Sequence, residues 1–338
     1  MKAYQLVLEG EKPRLTSVEL PDPKPAAGQV LVRVRATSLN YRDLMILKGG
    51  YARGADYPVI PLSDGAGEVV AVGEGVTRWK TGDRVAATFF QDWKSGPATP
   101  ETAGSALGGA RDGMLAEFVA LDQEGLVAVP EALSFEEAAT LPCAALTAWQ
   151  ALVWRGRLHA GQTVLLLGTG GVSIFGLQFA KMHGARVVIT SGSDEKLARA
   201  RELGADFGIN YRETPDWEEE VLRLTGGEGV RQVLEVGGAG TLTKSLKCLA
   251  LNGNVHVIGG VSGFTADVPL GLMIGKLAEV HGIFVGSREM FEAMNQAIGQ
   301  HKTKPQIDRV FPFEEASEAY AYLESGGHFG KVVIGVGC

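Results

Sequence analysis

The sequence predicts an α/β protein, a mostly-β region joined to a doubly wound parallel sheet, on three observations. An apolar run within Thr163–Gly176 (TVLLLGTGGVSIFG) ends in a glycine turn and continues into a helix. Strand and helix patterns then alternate as far as Ile258, and such alternation builds a parallel sheet with helices on both faces. Before about residue 130, by contrast, the chain reads as short strands.

The elements follow in order. Val30–Ala36 (VLVRVRA) alternates apolar and charged residues, as a strand with one wet face does. Gly65–Val72 and Arg84–Phe90 read similarly, with turns at Gly73–Gly75 and Gly82–Asp83. A helix is expected over 41–47, where Asn40 could act as its cap. Ser134 with Glu137 forms a capping box, and Pro142 should end that helix before another at Thr147–Val153. Val164–Leu167 is a continuous apolar run, the pattern of a strand covered on both faces. The helix after the glycine turn closes at His183 and Gly184, and Arg186–Thr190 is the next strand. Asp194 is the expected N-cap of a helix to Leu203, followed by a strand at Phe207–Asn210. Thr214–Pro215 opens a helix that stops at Gly226. Gly229–Val236 then reads as strand, Thr241–Leu251 as helix and Asn254–Ile258 as strand. After Phe284 the βα rhythm is lost; a helix near Phe313–Ser325 and a strand at Lys331–Val336 imply a return to the first domain. The expected domains are 1–129 with 286–338, and 130–285. The cleft between them is the default place for an active site.

Composition excludes several classes. A net charge of −7 without a basic cluster argues against a nucleic-acid surface. No apolar run has membrane-spanning length, and Met1–Leu8 lacks the parts of a signal peptide, so a cytoplasmic protein is expected. Cys143, Cys248 and Cys338 are too few and scattered for a disulfide framework. The six histidines show no pairing in sequence and read as surface or structural.

The glycine turn is the candidate dinucleotide site. Gly168 and Gly170 permit a tight turn and close backbone approach, and free N–H groups at the following helix start can meet a pyrophosphate. Ser173 replaces the third glycine of the G-x-G-x-x-G pattern, with Gly171 and Gly176 as other small residues.

Four segments, SLNYRD (38–43), PLSDGAG (61–67), LPCAALTAW (141–149) and the glycine turn, resemble the medium-chain dehydrogenases and reductases, from Lys2 to Val336. The resemblance implies a GroES-like mostly-β catalytic domain plus a Rossmann domain. Many members of that family are zinc alcohol dehydrogenases, and this chain departs from them. Asn40 stands where they carry a cysteine, and Ser63 and Asp64 where they carry a His–Glu pair; only Cys143 matches a ligand position. Catalytic zinc needs three such protein donors, so no zinc is expected. The cysteines of the structural-zinc lobe are also missing, replaced by the loop Gln91–Gly113. Cys143 then reads as a small hydrophobe. The pattern resembles the zinc-independent quinone oxidoreductase and enoyl reductase branch.

Loss of the metal constrains the chemistry. Hydride addition to an isolated carbonyl makes an alkoxide, which zinc stabilises as a Lewis acid. Addition to an enone or quinone makes an enolate or phenolate, less basic by roughly five pKa units or about 7 kcal/mol. Fixed hydrogen-bond donors can then suffice. The expected activity is hydride delivery from a reduced nicotinamide to a conjugated acceptor: quinone, enone or 2-alkenal. A zinc-free alcohol dehydrogenase and a non-catalytic NADPH-binding protein remain alternatives.

The resemblance also assigns candidate residues. Tyr51 is the candidate acid, with Asn40 and Asp43 near the nicotinamide ribose. Tyr41 and Ser63 would line the substrate pocket with Phe90, Trp93 and Phe264, the loop aromatics forming a lid. Arg42 reads as a salt-bridged structural residue. Cofactor contacts are expected from Thr147, Gly168, Gly170, Gly171, Val172, Gly259, Phe284 and Val285. An acidic residue about 20 positions past the turn would select NAD; Ser191, Gly192 and Ser193 stand there instead. Lys196 and Tyr211 resemble residues that contact the 2′-phosphate, so NADP is favoured, although Asp194 could accept ribose hydrogen bonds. A homodimer joined near Val255–Ile258 and Gly282–Val285 is implied by resemblance.

Overall fold

A computed structural model describes residues 1–51 and 57–337; Cys338 lies outside them. The chain divides into two compact units, Met1–Leu146 with Val285–Cys338, and Thr147–Phe284.

The first unit is built on a seven-stranded sheet. Its order is Ile307–Pro312, Lys331–Gly335, Gln29–Ser38, Asp64–Val72, Arg84–Ala87 and Leu126–Ala128, with Phe118–Asp122 also paired to Gln29–Ser38. The alternation in VLVRVRA does what it predicts, because Val30, Val32 and Val34 are buried while Arg33 is exposed. Each buried valine removes apolar surface worth about 1.5–3 kcal/mol. The antiparallel hairpin Lys2–Glu9 and Lys12–Glu19 is joined to the unit by isolated bridges at Ala3↔Ala116 and Leu6↔Val59. The C-terminal strand rejoins this unit as expected, running antiparallel to Gln29–Ser38 with Val333 opposite Ser38.

The second unit carries a six-stranded sheet whose pairs are all parallel. Its order is Phe207–Asn210, Arg186–Ser191, Thr163–Leu166, Val230–Glu235, Leu249–Val257 and Glu279–Gly282. Val164, Leu165 and Leu166 have no exposed surface, which is why that segment can be apolar at every position. The helix Gly171–Met182 packs closely over the sheet. A Cβ at Gly176 would lie 2.4 Å from Leu234 Cδ1, so glycine sets that approach.

The structure corrects several expectations. The division falls after Leu146 rather than after 129, because the preceding helical turns are bonded into the first unit: Ser38 Oγ donates to Ala139 O at 2.9 Å and Cys143 N to Asp64 at 3.2 Å. The Ser134–Glu137 capping box forms. Pro142, however, does not end helicity, since it occupies the start of a π-helical turn, Leu141–Ala145, where no donor is needed. Ser193, not Asp194, caps the helix Asp194–Glu202, and Asp194 accepts from Asn210 Nδ2 at 3.0 Å. Leu249–Leu251 belongs to a strand rather than to the preceding helix, which ends at Lys247. The amphipathic helix Arg288–His301, burying Met290, Phe291, Met294 and Ile298, was not anticipated. Nor was the pairing of His256 with His281, whose rings stack at 5.4 Å because parallel register sets them side by side. Burial lowers the His256 pKa to about 3, so it stays neutral.

Gly67, in the PLSDGAG segment, lies where the strand pairing shifts register opposite Val34. A Cβ there would sit 2.0 Å from the Arg33 carbonyl oxygen, a backbone atom unable to swing aside. Gly67→Ala should therefore cost at least about 3 kcal/mol, seen as a lowered midpoint in urea unfolding. An unchanged midpoint would contradict that backbone approach.

Candidate active site

The first unit gathers most of the predicted polar residues around the N-terminal end of the helix Tyr41–Leu47. Asn40 N donates to Asp43 Oδ2 at 2.7 Å, which holds that carboxylate against the helix start. The Asn40 side chain is used elsewhere: its Oδ1 accepts from Lys331 Nζ at 2.6 Å. Lys331, 3% exposed, also donates to Leu39 O at 2.6 Å and lies 3.8 Å from Asp64 Oδ2. Its register in the last strand explains this, since Leu39 N donates to Val332 O and so brings position 331 beside positions 39 and 40.

Asp64 is the second centre of the network and has no exposed surface. It accepts from Ser63 Oγ at 2.8 Å and from Cys143 N at 3.2 Å, while its carbonyl accepts from Thr37 Oγ1. Ser63 was expected to line a pocket; its hydroxyl is instead committed to Asp64 and wholly buried. Desolvation, followed by the Asp64 charge, holds the Cys143 thiol far above its ordinary value.

Arg42 joins the cluster as a structural ion-pair residue, as expected, with Nη1 3.6 Å from Asp43 Oδ1 and donating to Leu107 O at 3.0 Å. Its guanidinium also lies 5.2 Å from the Tyr51 ring centroid and 4.7 Å from that of Phe89. Tyr51, half-buried, therefore lies beside Arg42. Burial raises the Asp43 carboxyl to about 6 against the opposing pull of Arg42. Tyr41 is half exposed. Phe90 and Trp93 are 1% and 5% exposed and pack on each other at 5.9 Å, so the loop aromatics are inward anchors rather than an open pocket wall or a lid. That loop is further pinned by Trp93 Nε1 to Gly96 O and by the Arg111–Asp92 ion pair.

These positions do not fit zinc. An ammonium sits among them, Cys143 is the only thiol, and Asn40 and Ser63 offer neutral oxygens that are already engaged. Among the described residues no group of three or more His, Cys, Asp or Glu could hold a metal ion.

The second unit does fit a dinucleotide. Gly168 has φ +74 with open space where a Cβ would lie. Gly170 caps the helix Gly171–Met182 without any side-chain bond, so the first N–H groups, including those of Gly171 and Val172, keep their capacity for a phosphate. Ser173, in place of the third glycine, is turned away and donates to Leu167 O. Beyond the second strand, Ser191 is buried, Ser193 Oγ accepts from Lys196 N, and Tyr211 N donates to Ser191 O. Over Gly192 lie Tyr211 and Arg212, whose Oη and Nε would be 2.8 and 2.9 Å from an added Cβ. Arg212 and Lys331 are functional candidates that sequence reading missed; only the adjacency of Arg212 to Tyr211 could have drawn attention to it. Thr147 is buried, Gly259 N donates to Glu235 O, and Phe264 is 74% exposed on the following turn. Phe284 ends this unit, and Val285, with φ +54, begins the return segment of the other. Glu235, fully buried, is a turn clamp: its Oε1 accepts from Gly237 N, Gly238 N and Thr241 Oγ1.

The two folds and their sites define an NAD(P)-binding oxidoreductase, and the comparisons place it: the chain belongs to the medium-chain dehydrogenase/reductase family. Residues 26–131 match the alcohol dehydrogenase GroES-like domain and residues 171–300 the zinc-binding dehydrogenase family. It is 47% identical to a zinc-type alcohol dehydrogenase-like protein of Schizosaccharomyces pombe over 91% of this chain and 90% of that one. It is 31% identical to acryloyl-coenzyme A reductase of Metallosphaera sedula, covering 99% of both. Among solved structures it resembles an NAD-dependent alcohol dehydrogenase (TM-score 0.90, 35% identity, all of both chains). It also resembles Escherichia coli quinone oxidoreductase complexed with NADPH (TM-score 0.84, 27% identity, 99% of this chain and 100% of that one).

Because Asp43 is protonated more readily in the folded than in the unfolded chain, it penalises folding above pH 6, and the penalty is relieved as pH falls towards 3.8. The unfolding free energy of the wild type relative to Asp43→Asn should thus rise by about 2 kcal/mol between pH 7 and pH 4. Urea titrations across that range test it, and a flat difference would mean that Asp43 titrates as an ordinary carboxyl.

Proposed function

We propose that the protein is a zinc-independent, NADPH-preferring reductase of conjugated acceptors, namely quinones, enones or 2-alkenals. The observation that carries this reading is the buried Lys331 ammonium, bonded to Asn40 beside Asp64, where a metal would need anionic and imidazole donors. Without a Lewis acid, acceptors that delocalise their own incoming charge are the ones whose reduction a few donors can support. A reduced nicotinamide dinucleotide, its pyrophosphate held at the helix start Gly168–Val172, would supply the hydride. When the β carbon of an enone gains that hydride, the alkene π pair shifts to the bond between the α carbon and the carbonyl and the carbonyl π pair to oxygen; the α carbon then takes a proton and the carbonyl re-forms. Tyr51, beside Arg42, is placed to relay the proton from solvent, and Asn40 and Asp43 hold polar groups of the bound reactants. The acryloyl-coenzyme A reductase and quinone oxidoreductase relatives support this class.

A zinc-free alcohol dehydrogenase using NAD(P) is the second reading, favoured by relatives named alcohol dehydrogenase and NAD-dependent alcohol dehydrogenase. One screen separates the two: NADPH and NADH oxidation against quinones, enones, 2-alkenals and simple ketones, with metal analysis of the same protein. Turnover of conjugated acceptors at less than 0.1 zinc per chain is expected. Reduction of ketones alone, or stoichiometric zinc, would overturn the proposal.

The preference for NADPH rests on Lys196, Tyr211 and Arg212 around Ser191–Ser193, with Asp194 engaged by Asn210. Arg212→Ala should raise KM for NADPH about tenfold while changing that for NADH less than twofold. Equal effects on both cofactors would remove the phosphate assignment.

A homodimer is proposed through the edge strand Glu279–Gly282, which leaves Val280 exposed, as are Leu270 and Ile274 of the preceding helix and Leu277 after it. Val255, by contrast, is internal to the sheet and fully buried, so it does not supply that edge. Val280→Pro should halve the solution mass in light scattering; an unchanged mass would place the interface elsewhere.

A further inference from the structure

We propose that Lys331 is a positioning residue for the acceptor: by bonding to Asn40 Oδ1 it fixes the polarity of the Asn40 amide, so that Nδ2–H is the donor offered to the acceptor oxygen. The inference rests on the reductase reading above only in that the acceptor carries an oxygen that gains negative charge; it holds equally for a quinone, an enone or a ketone.

The geometry leaves the amide little choice. An ammonium has donors and no acceptor, so the atom 2.6 Å from Lys331 Nζ must be the amide oxygen, and the nitrogen must face the other way. Lys331 is itself held by a second 2.6 Å bond, to the Leu39 carbonyl, and by the charge of Asp64. The backbone of Asn40 is fixed in turn, its N–H donating to Asp43 Oδ2. The result is a nitrogen that is buried and lacks a hydrogen-bond partner among the described residues, as does Asp43 Oδ1 three positions on. An unmet buried donor costs about 1–3 kcal/mol, and a free amide would flip or rotate to avoid it. Lys331 prevents the flip. It also withdraws electron density through the amide, which strengthens the opposite N–H as a donor.

The test is a double-variant cycle of Asn40→Leu and Lys331→Met, read in two ways. One is kcat and KM for whichever carbonyl or quinone acceptor the wild type reduces fastest. The other is the Kd of 4-nitrophenolate, an inert oxyanion, on the NADP-loaded protein. Asn40→Leu should lower kcat about 10²-fold and weaken the phenolate about tenfold. Lys331→Met should lower kcat at least tenfold alone but less than threefold in the Asn40→Leu background, because its effect on the acceptor runs through the amide, while its bonds to Leu39 O and Asp64 bear on stability. Lys331→Arg, which keeps the charge and donors, should recover part of the loss. Equal losses from Lys331→Met in both backgrounds would reduce Lys331 to a structural role and overturn the inference. If Lys331→Met does not fold, Asn40→Leu decides alone, and unchanged kcat and phenolate affinity would overturn it. A wild type that reduces only simple ketones would sink the conjugated-acceptor reading yet leave this cycle intact, and one that reduces nothing leaves phenolate binding to decide.

Discussion

A single buried ammonium organises the first unit's site. Taking Lys331 out of water costs several kcal/mol unless its donors are met and a counter-charge is close. Leu39 O, Asn40 Oδ1 and Asp64 provide for that, and in doing so they tie three separate stretches of chain together. The last strand must lie beside Gln29–Ser38, the helix Tyr41–Leu47 must begin at Asn40, and the loop before Asp64–Val72 must bring its carboxylate inward. Arg42 and Asp43, in the first turn of that helix, inherit their positions from this arrangement. So does Cys143, whose backbone is bonded to Asp64.

The two units meet their chemical tasks by opposite means. The second presents backbone: glycines without side chains at 168 and 170, a helix start without a cap bond, and a buried glutamate that shapes the Val236–Thr241 turn from beneath. The first presents side chains, with charges held by one another in a dry cluster. Backbone donors tolerate any diphosphate, whereas specificity for what is reduced needs side chains with fixed polarity. The low dielectric that raises the Asp43 pKa also strengthens every hydrogen bond around it.

Much of the fold was legible in the sequence because its signals are local. The apolar run at Val164, the glycines after it, the alternation in VLVRVRA and the Ser134–Glu137 box each report on neighbours within a few residues. The misses have one cause in common. The resemblance placed Ser63 in a pocket, but its hydroxyl turns to the carboxylate of its neighbour Asp64, a choice of rotamer that only the packed structure fixes. Asp194 looked like a cap because Ser193 and Asn210 compete for roles that only the strand ends decide. The histidines looked unpaired because positions 256 and 281 meet by register across two strands. Lys331 read as an ordinary residue opening a strand, since its partners lie 292 and 291 positions away.

By itself, the sequence determined the order of the elements, the dinucleotide turn and the absence of the usual zinc donors, because these follow from residue types and short-range periodicity. Only tertiary structure decided which polar atoms are satisfied and which are left over. That accounting depends on strand register, which brings the C-terminal lysine to the N-terminal asparagine, and a pairing over such a distance leaves no trace in local pattern.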